Sequence, residues 1–545
     1  MRGHALNHLW IVLAAGCLFW MTRGYTATYT VLNTLDAGAG SLRQAMLDAN
    51  SHSGPDTIVF NIPKTGWLFN GSCWFVEPDT PLPQITDDGT VIDGDSQARH
   101  QGDTNSDGPE VVVSGYHGQS SGWRWSGLII LSANNLIKGL SISSWTQNAL
   151  WISGAAAHHN RIVGNYIGLN FSGLDTLSSP NTTGIYVDNQ ARYNVIGGST
   201  AEERNVVSGN RFAGIYFFQA DSNRVTGNYI GTDRTGLGAL GNRDCGIDLW
   251  GSKGNTIGGP APGEGNLISG NLNYGIAIYT ASSSGNWITG NRIGTNYTGS
   301  WGLADQRVGI YIEAGSKNRI GPDNLIKHHR FAGVFVLGAQ ALGNTITRNT
   351  ISDNAGKGIY LADGANNNQA PPLTSLTPDG AQGTTLPNAV VEIFSDPADE
   401  GLTFEGSTLA GPDGAFSWTG RCTGPHVTAT ATDAQGSTSP FSQPVNITKV
   451  ADNRQVQPSA FWLEQNYPNP FNAATTLRFT LADRLPVTLQ VLDLQGRVVA
   501  SLVRQTMTAG NHALVFDATE LATGVYLCRL QAGTLSTTRR MILVK

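Results

Sequence analysis

The chain has 545 residues, of which 67 are glycine and only 14% are charged, and its formal net charge is −6 at pH 7. This length predicts several domains, and so much glycine with so few charges predicts frequent turns rather than long amphipathic helices. An acidic chain lacks the basic surface that nucleic acid and anionic membranes require, and an anionic glycan would bind only at a local basic cleft or through a bound cation.

The first 27 residues have the pattern of a secretory signal. Arg2 precedes an apolar stretch from Leu9 to Met21, and small residues follow up to Ala27. This stretch is too short to remain as a membrane span, and no later stretch is apolar for long enough to cross a bilayer. Residues 13–17 (LAAGC) resemble a weak lipoprotein-processing box, so lipidation at Cys17 remains an open alternative.

Residues 28–110 are predicted to form an N-terminal cap and the first coils of a solenoid. They contain residues 41–45 (SLRQA), 48–50 (DAN) and 56–60 (DTIVF). This run resembles the CSLREA-type motif that opens many bacterial surface β-helix proteins, with Gly40 in place of the leading cysteine and Gln44 in place of the glutamate. The resemblance implies a structural capping role rather than a catalytic one.

A short acidic loop in this region has the spacing of a calcium site. Asp103, Asn105 and Asp107 stand at the first three ligand positions of such a loop. The bidentate glutamate expected at the twelfth position is missing, because Ser114 stands there. Calcium binding by these three residues, with Glu110 as a substitute ligand, is one interpretation, and a solvated acidic loop is the other. The sequence suggests no other cofactor.

Residues 111–368 contain an internal repeat. The pattern Asn-x-(Ile/Val)-x-Gly recurs, sometimes degraded, from Asn135, Asn160, Asn194, Asn223, Asn255, Asn286, Asn318 and Asn344. Each unit adds a second short strand and a third that reads Gly-Ile-x-(Ile/Val), as in residues 184–187. Three strands too short to bury a face alone must stack on the next unit, which predicts a parallel β-helix, right-handed by its resemblance to the surface proteins named above.

The repeat also predicts details of each coil. Inward residues of the third strand are aliphatic and should stack as continuous ladders, and the recurring asparagine should bond its neighbour one coil away. Asparagine also tolerates left-handed backbone, which suits a corner. Long loops precede the third strand in alternate coils (residues 169–183, 232–245 and 295–308), and they are expected to overhang the third sheet.

One residue of each third strand faces outward, between the two inward ones. Coil by coil these residues, which we name the aromatic row, are Trp151, Tyr186, Tyr216, Asp248, Ala277, Tyr311, Phe335 and Tyr360. Flat rings on neighbouring coils suit the apolar faces of sugars, and an exposed apolar patch usually has a partner. The alternative is purely structural, because aromatic residues favour strands and stack across coils.

Catalysis has thinner support in the sequence. Asp248 lies in the aromatic row, and Arg243 and Asp244 precede it in a long loop, so the three residues could form an acid–base site. The adjacent coils offer Tyr216 and Ala277 rather than a second carboxylate. The favoured function is therefore adhesin-like binding of a carbohydrate or cell-surface partner. The alternatives are a polysaccharide lyase, hydrolase or epimerase in the same groove, and a passive structural spacer.

The repeat ends near residue 368, and the following residues are predicted to form smaller β modules. Residues 369–450 contain short strands similar to the Ig-like modules that often follow such helices, and residues 451–458 form a polar linker. Cys73, Cys245 and Cys422 are widely spaced and odd in number, which indicates neither a disulfide framework nor a metal knuckle.

Residues 459–545 are predicted to form a small β-sandwich, because Val487, Leu489 and Val491 alternate with Thr488 and Gln490. The landmarks of this tail are residues 466–472 (NYPNPFN), 493–497 (DLQGR), 524–526 (GVY) and the terminal lysine. They closely resemble the type A C-terminal sorting domain of the type IX secretion system of Bacteroidetes-like bacteria. The resemblance implies handling by that machinery and export across the outer membrane, to the cell surface or the medium.

Overall fold

The computed structural model describes residues 26–65, 68–117, 124–303, 306–377, 380–447, 461–533 and 535–545. The chain divides into two compact units at residues 447 and 448. Residues 1–25 of the predicted signal, including Cys17, and the predicted linker at 451–458 lie outside the described residues. Within the described residues, no helix has the length and apolar character that a membrane crossing requires.

Three long parallel sheets run through the first unit. From residue 91 onward the chain visits the sheets in rotation, and each turn of the chain adds one strand to each sheet. Every strand pair in these sheets is parallel, as for Arg161 with Val195 and Tyr166 with Val206. This arrangement confirms the predicted parallel β-helix.

Within each of the three sheets the strands stack in the order in which they occur along the chain. The first sheet contains Ala27–Val31, Asp56–Phe60, Val91–Asp93, Leu136–Lys138, Arg161–Val163, Val195–Gly197, Arg224–Thr226, Thr256–Gly258, Trp287–Thr289, Arg319–Ile320 and Thr345–Ile346. The second contains Trp74–Val76, Val111–Ser114, Leu140–Ser143, Tyr166–Ile167, Val206–Val207, Tyr229–Ile230, Leu267–Ile268, Arg292–Ile293, Leu325–Lys327 and Thr350–Ser352. The third contains Leu128–Ile130, Asn148–Ser153, Thr183–Asp188, Ile215–Phe218, Cys245–Trp250, Tyr274–Tyr279, Val308–Glu313, Ala332–Leu337 and Lys357–Ala362.

Aliphatic side chains in register fill the interior. In the third sheet Ile185 pairs with Ile215, which pairs with Ile247 on the next coil, and all three are fully buried. Burying such a side chain contributes about 1.5–3 kcal/mol. The same position is Ile or Val in every later coil, so the predicted aliphatic ladder is confirmed.

Buried asparagines form the predicted ladder at one corner of the coils. The Oδ1 of Asn194 accepts hydrogen bonds from both the backbone N–H and the Nδ2 of Asn160, at 3.0 and 2.9 Å. The same pair of hydrogen bonds to the next coil recurs as far as Asn318 and Asn344. Because the buried donors of the ladder find acceptors on the next coil, this polar corner is compatible with a dry interior.

The predicted left-handed backbone of these asparagines is wrong. The residue before each asparagine adopts it instead, as at His159 (φ 56°), Tyr193 (φ 56°) and Lys317 (φ 55°). The corner therefore turns one residue earlier, and the asparagine that follows is positioned to bond the next coil.

Two further ladders were not predicted from the sequence. One consists of Asn165, Asn205, Asn228, Asn266, Asn291, Asn324 and Asn349. The other consists of Asn181, Asn210, Asn242 and Asn271, at the entrance to the third sheet. The recurring asparagine before the second strand of each unit was the available signal.

Two short helices lie near the start of the β-helix, at Leu42–Ser51 and Ser96–Gln101. The first contains the CSLREA-like motif, and the Ser41 side chain caps it by accepting the N–H of Gln44. Leu42 and Met46 are buried in the same hydrophobic core as the sheets. These motif residues therefore pack and cap, as the structural interpretation requires.

The chain after the last coil folds into two antiparallel sheets, which we name the two-sheet module (residues 373–446). A short 3₁₀ helix, Ala365–Asn368, precedes it. One sheet contains Leu373–Thr377, Gly380–Thr384 and Ala415–Thr419, and the other contains Val390–Asp396, Thr403–Leu409, His426–Thr432 and Val445–Asn446. The Ig-like interpretation of this region stays a prediction.

The second unit is likewise made of two antiparallel sheets. They contain Trp462–Leu463, Ala474–Leu481 and Gly510–Asp517, and Leu485–Leu492, Val498–Met507, Gly524–Ala532 and Leu535–Leu543. Val487, Leu489 and Val491 are buried in the core of this unit, which confirms the predicted alternation. The described cysteines Cys73, Cys245, Cys422 and Cys528 are free thiols.

Candidate functional site

The aromatic row lies in register along the outside of the third sheet. Trp151 pairs with Tyr186, Tyr186 with Tyr216, and Tyr216 with Asp248. The remaining members continue in order through Ala277, Tyr311, Phe335 and Tyr360. The coil-by-coil alignment inferred from the repeat is therefore what the fold contains.

The rings of the row contact one another in two groups. Centroid distances are 6.1 Å for Trp151–Tyr186, 5.2 Å for Tyr186–Tyr216, 5.4 Å for Tyr311–Phe335 and 5.0 Å for Phe335–Tyr360. Asp248 and Ala277 interrupt the row between the groups. The first group is only partly buried, which leaves its ring surface available to a ligand.

Neighbouring aromatic residues close over the interruption. Tyr274 stacks on Tyr311 at 4.6 Å, and Tyr279 contacts the same ring at 5.7 Å and Trp250 at 5.3 Å. The side chains of Asp248, Ala277 and Tyr311 are consequently buried although they lie on the outer face of the sheet. Sequence reasoning missed these covering rings. The period of two would have found Trp250 and Tyr279, which lie two positions beyond the row.

A groove of about 680 Å³ opens over the first group of rings. Tyr186, Tyr216 and Phe212 contribute its aromatic surface. Its other lining residues are Arg124, Thr146, Gln147, Asn148, Thr182, Thr183 and Arg211. The lining therefore combines rings, hydroxyls, amides and two guanidinium groups, and among the described residues it contains no carboxylate.

Indole and phenol groups of the row are held by acidic partners at the ends of their strands. The Nε1 of Trp151 donates to Oδ1 of Asp188 at 2.9 Å. Burial, together with the charge of Asp188, raises the pKa of Tyr186 to about 12. Farther along, Tyr311 donates its hydroxyl to Glu313 at 2.9 Å. The phenols therefore remain protonated hydrogen-bond donors at neutral pH.

The long loops do not overhang the third sheet, so that expectation is wrong. Each loop closes on itself by a bridge, for example between Leu169 and Thr176, and turns back over the second sheet. A Cβ added at Gly173 would lie 2.7 Å from the ring of Tyr166, an outward residue of the second sheet. The tight turn directs the loop toward the strand that precedes it, in the second sheet. The walls of the groove are therefore formed by residues at the start of the third-sheet strands.

Asp248 is buried (2% exposed), and its Oδ1 has no hydrogen-bond partner within the described residues. Burial, and to a lesser extent the charge of Asp244, raises the pKa of Asp248 to about 8. Asp244 is half-buried and accepts the Nδ2 of Asn273 at 2.7 Å, whereas Arg243 is exposed. The structure thus couples the two predicted carboxylates electrostatically, one coil beyond the groove.

The residues of the predicted calcium loop have separate protein partners. Asp103 accepts the N–H of Asn105 at 3.1 Å, and the Nδ2 of Asn105 donates to the carbonyl of Phe171 at 3.0 Å. Asp107 pairs with Arg234 at 2.6 Å. Across the ranges that the structure describes, no group of three or more His, Cys, Asp or Glu side chains could hold a metal ion.

Comparison with known families identifies two parts of the chain. Residues 465–545 match the model of the secretion system C-terminal sorting domain, and residues 171–341 and 300–370 match that of the right handed beta helix region. The chain is therefore an exported right-handed β-helix protein. It carries the sorting domain on which the type IX machinery acts, and its destination is the cell surface or the medium.

Several solved structures match this chain at low similarity. A point mutant of the periplasmic alginate epimerase AlgG is 15% identical over 57% of this chain and 76% of its own (TM-score 0.25). The A-module of the Azotobacter vinelandii mannuronan C-5 epimerase is 13% identical over 62% and 94% (TM-score 0.27). The enzymatically active domain of bacteriophage CBA120 tailspike protein 4 is 10% identical over 93% and 66% (TM-score 0.27). A search of curated sequences found no match. Similarities this low carry no argument about activity.

Proposed function

We propose that this exported protein binds a carbohydrate chain in the groove of its third sheet. The observation that supports the proposal is the pair of rings of Tyr186 and Tyr216, which lie on neighbouring coils with centroids 5.2 Å apart and line the groove. Two rings side by side present a flat apolar surface of the size of a sugar face, and such a surface exposed to solvent usually has a partner.

The remaining lining residues suit the polar edges of a sugar. The amides of Gln147 and Asn148 and the hydroxyl of Thr182 lie beside the rings. A site that combines an apolar surface with a few placed donors and acceptors is typical of small-molecule recognition. The second group of rings includes the buried Tyr311, which belongs to a hydrophobic cluster that Tyr216 and Phe335 also contact, and none of its members is among the described lining residues of the groove. We therefore assign binding to the first group.

The test uses the purified protein with a panel of plant, algal and host polysaccharides, scored for retention of protein and for shortening of polymer. We expect Tyr186→Ala and Tyr216→Ala each to weaken binding by about tenfold, which corresponds to about 1.4 kcal/mol of lost ring contact. The control is Tyr297→Ala, because Tyr297 is an exposed tyrosine on the loop at residues 295–308, away from the third sheet. Undiminished binding in both groove variants would contradict the proposal and put the binding site elsewhere on the protein, whereas absence of binding by the wild type across the panel would favour a structural spacer.

Asp248 supports a second candidate function, a polysaccharide lyase, hydrolase or epimerase. A buried carboxyl with a pKa of about 8 can hold a proton at neutral pH and give it up during a reaction. In that case Asp248→Asn should abolish polymer shortening or a change in sugar composition while leaving retention intact. If wild-type protein retains the polymer and leaves it chemically unchanged, binding alone is the function.

A further inference from the structure

We propose that the glycan in the groove is anionic, a polysaccharide whose carboxylate or sulfate groups pair with Arg124 and Arg211. This inference rests on the proposed function, because it names the class of glycan that the same groove takes. It follows from the two guanidinium groups that line the groove beside Tyr186 and Tyr216.

Neither guanidinium group has a partner among the residues that the structure describes. Neither Arg124 nor Arg211 forms an ion pair or a side-chain hydrogen bond with any residue in the described ranges. Several arginines elsewhere on the β-helix are paired within 3.2 Å: Arg161 with Glu203, Arg224 with Glu264 and Arg234 with Asp107. The groove thus presents positive charge that the described part of the chain leaves unpaired.

That local charge is opposite in sign to the whole chain. The formal net charge is −6, yet the described lining of the groove contains two arginines and no carboxylate. Unpaired cations beside aromatic rings do not improve the solubility of an acidic protein. An anionic ligand in the groove would pair its charges with the arginines and place its apolar face on the rings. The planar guanidinium fork also matches the geometry of carboxylate and sulfate oxygens.

Further arginines continue from the groove along the same edge of the sheet. Arg243 and Arg307 are exposed at the entrance to the third sheet on later coils. The backbone N–H of Arg211 bonds to Asn181, and that of Arg243 bonds to Asn210, so successive arginines stand at the same corner of their coils. A row of positive charge beside a row of rings suits a polymer lying across the coils better than a single sugar.

Nucleic acid is the other anionic polymer that combines charge with flat rings. Single strands stack on aromatic side chains in positively charged grooves. The acidic surface of the chain as a whole opposes such a ligand, because a nucleic acid extends beyond the groove and meets the surrounding carboxylates. A glycan with spaced charges avoids much of this repulsion, so we assign the groove to a glycan and keep an oligonucleotide as a test.

The experiment compares polymers that differ only in charge. The probes are polygalacturonate and its methyl ester, dextran sulfate and dextran, and a single-stranded oligonucleotide, each titrated into the full protein at low and moderate salt. We expect the charged member of at least one pair to bind at least tenfold more tightly than its neutral counterpart. Arg124→Gln and Arg211→Gln should each remove most of this preference and flatten the salt dependence, whereas Arg319→Gln, an exposed arginine of the first sheet, should not.

Each outcome separates this inference from the function on which it rests. If neutral and charged members bind equally and the arginine variants match wild type, while Tyr186→Ala weakens both, the groove binds glycans but the anionic class is wrong. If none of the glycans binds, both proposals fail. Tighter binding of the oligonucleotide than of every glycan would also overturn the inference. A preference for polygalacturonate identifies the carboxylate as the recognised group, and a preference for dextran sulfate identifies the sulfate.

Discussion

The carboxylate of Glu400, in the two-sheet module, accepts hydrogen bonds from both the backbone N–H and the Nδ2 of Asn354 in the last coil, each at 3.0 Å. Nearby, Ile351 and Gly401 exchange backbone hydrogen bonds of 2.8 and 2.9 Å. The last coil of a β-helix otherwise presents unpaired backbone and side-chain groups. The module therefore closes the C-terminal end of the solenoid by continuing its hydrogen bonding.

Replacing Glu400 tests this closing role. Glu400→Ala leaves the backbone N–H of Asn354 without its acceptor and removes one of the acceptors of its Nδ2, which also donates to the carbonyls of Ile326 and Ser352. A buried unsatisfied group costs about 1–3 kcal/mol. We expect the free energy of unfolding of the first unit to fall by about 2 kcal/mol or more in chemical denaturation. Asp399→Ala, which changes an exposed neighbour, is the control and should have little effect. Equal curves for the two variants would mean that the module contributes nothing through this contact.

The asparagine ladder predicts a second stability effect. Asn223 accepts the backbone N–H and the Nδ2 of Asn194 and donates to the carbonyl of Ala191. Asn223→Ala removes these bonds and leaves buried groups of two coils unpaired, so we expect a loss of about 2–4 kcal/mol. Thr256→Ala, on the outside of the first sheet, should cost less than about 1 kcal/mol. A denaturation midpoint for Asn223→Ala close to that of Thr256→Ala would falsify the energetic role of the ladder.

Asp248 predicts a pH dependence of stability. Its pKa in the folded protein, about 8, lies above the ordinary value of 3.8, so the stability linked to its proton is complete below pH 3.8 and is lost as the pH rises through 8. Each unit of pKa difference corresponds to about 1.4 kcal/mol. Asp248→Asn keeps the shape without the charge, so its melting temperature relative to that of wild type should rise between about pH 4 and pH 8 and level off above pH 8. Parallel melting profiles of the two proteins would show that Asp248 is not desolvated.

Calcium should have little effect on the stability of the solenoid. The side chains of Asp103, Asn105 and Asp107 have separate partners, and Arg234 already neutralises Asp107. A ligand that binds only the folded protein raises its melting temperature, so we expect equal melting temperatures in millimolar calcium and in chelator. An increase of several degrees in calcium, lost in Asp107→Asn, would instead support the calcium interpretation of this loop.

Local patterns in the sequence were enough to predict the fold of the solenoid, the alignment of the aromatic row and the sorting domain. The repeat of about thirty residues with a period of two in its third strand places Tyr186 and Tyr216 on the same outward row, because register in a stacked solenoid follows from repeat position alone. The sorting domain is equally evident, since its landmarks are contiguous in the chain. The β-helix and the alignment of the row therefore needed no coordinates.

Contacts between distant parts of the chain were decided by the tertiary structure alone. Arg124 and Arg211 line one groove although no local pattern relates them, and Asp248 is buried because rings from the following coil close over it. Strand alternation gives the side of the sheet that a residue faces. It cannot give whether that side is covered, because coverage depends on the size and direction of side chains from other coils. The sequence by itself thus determined the row, and only packing decided which of its members a ligand can reach.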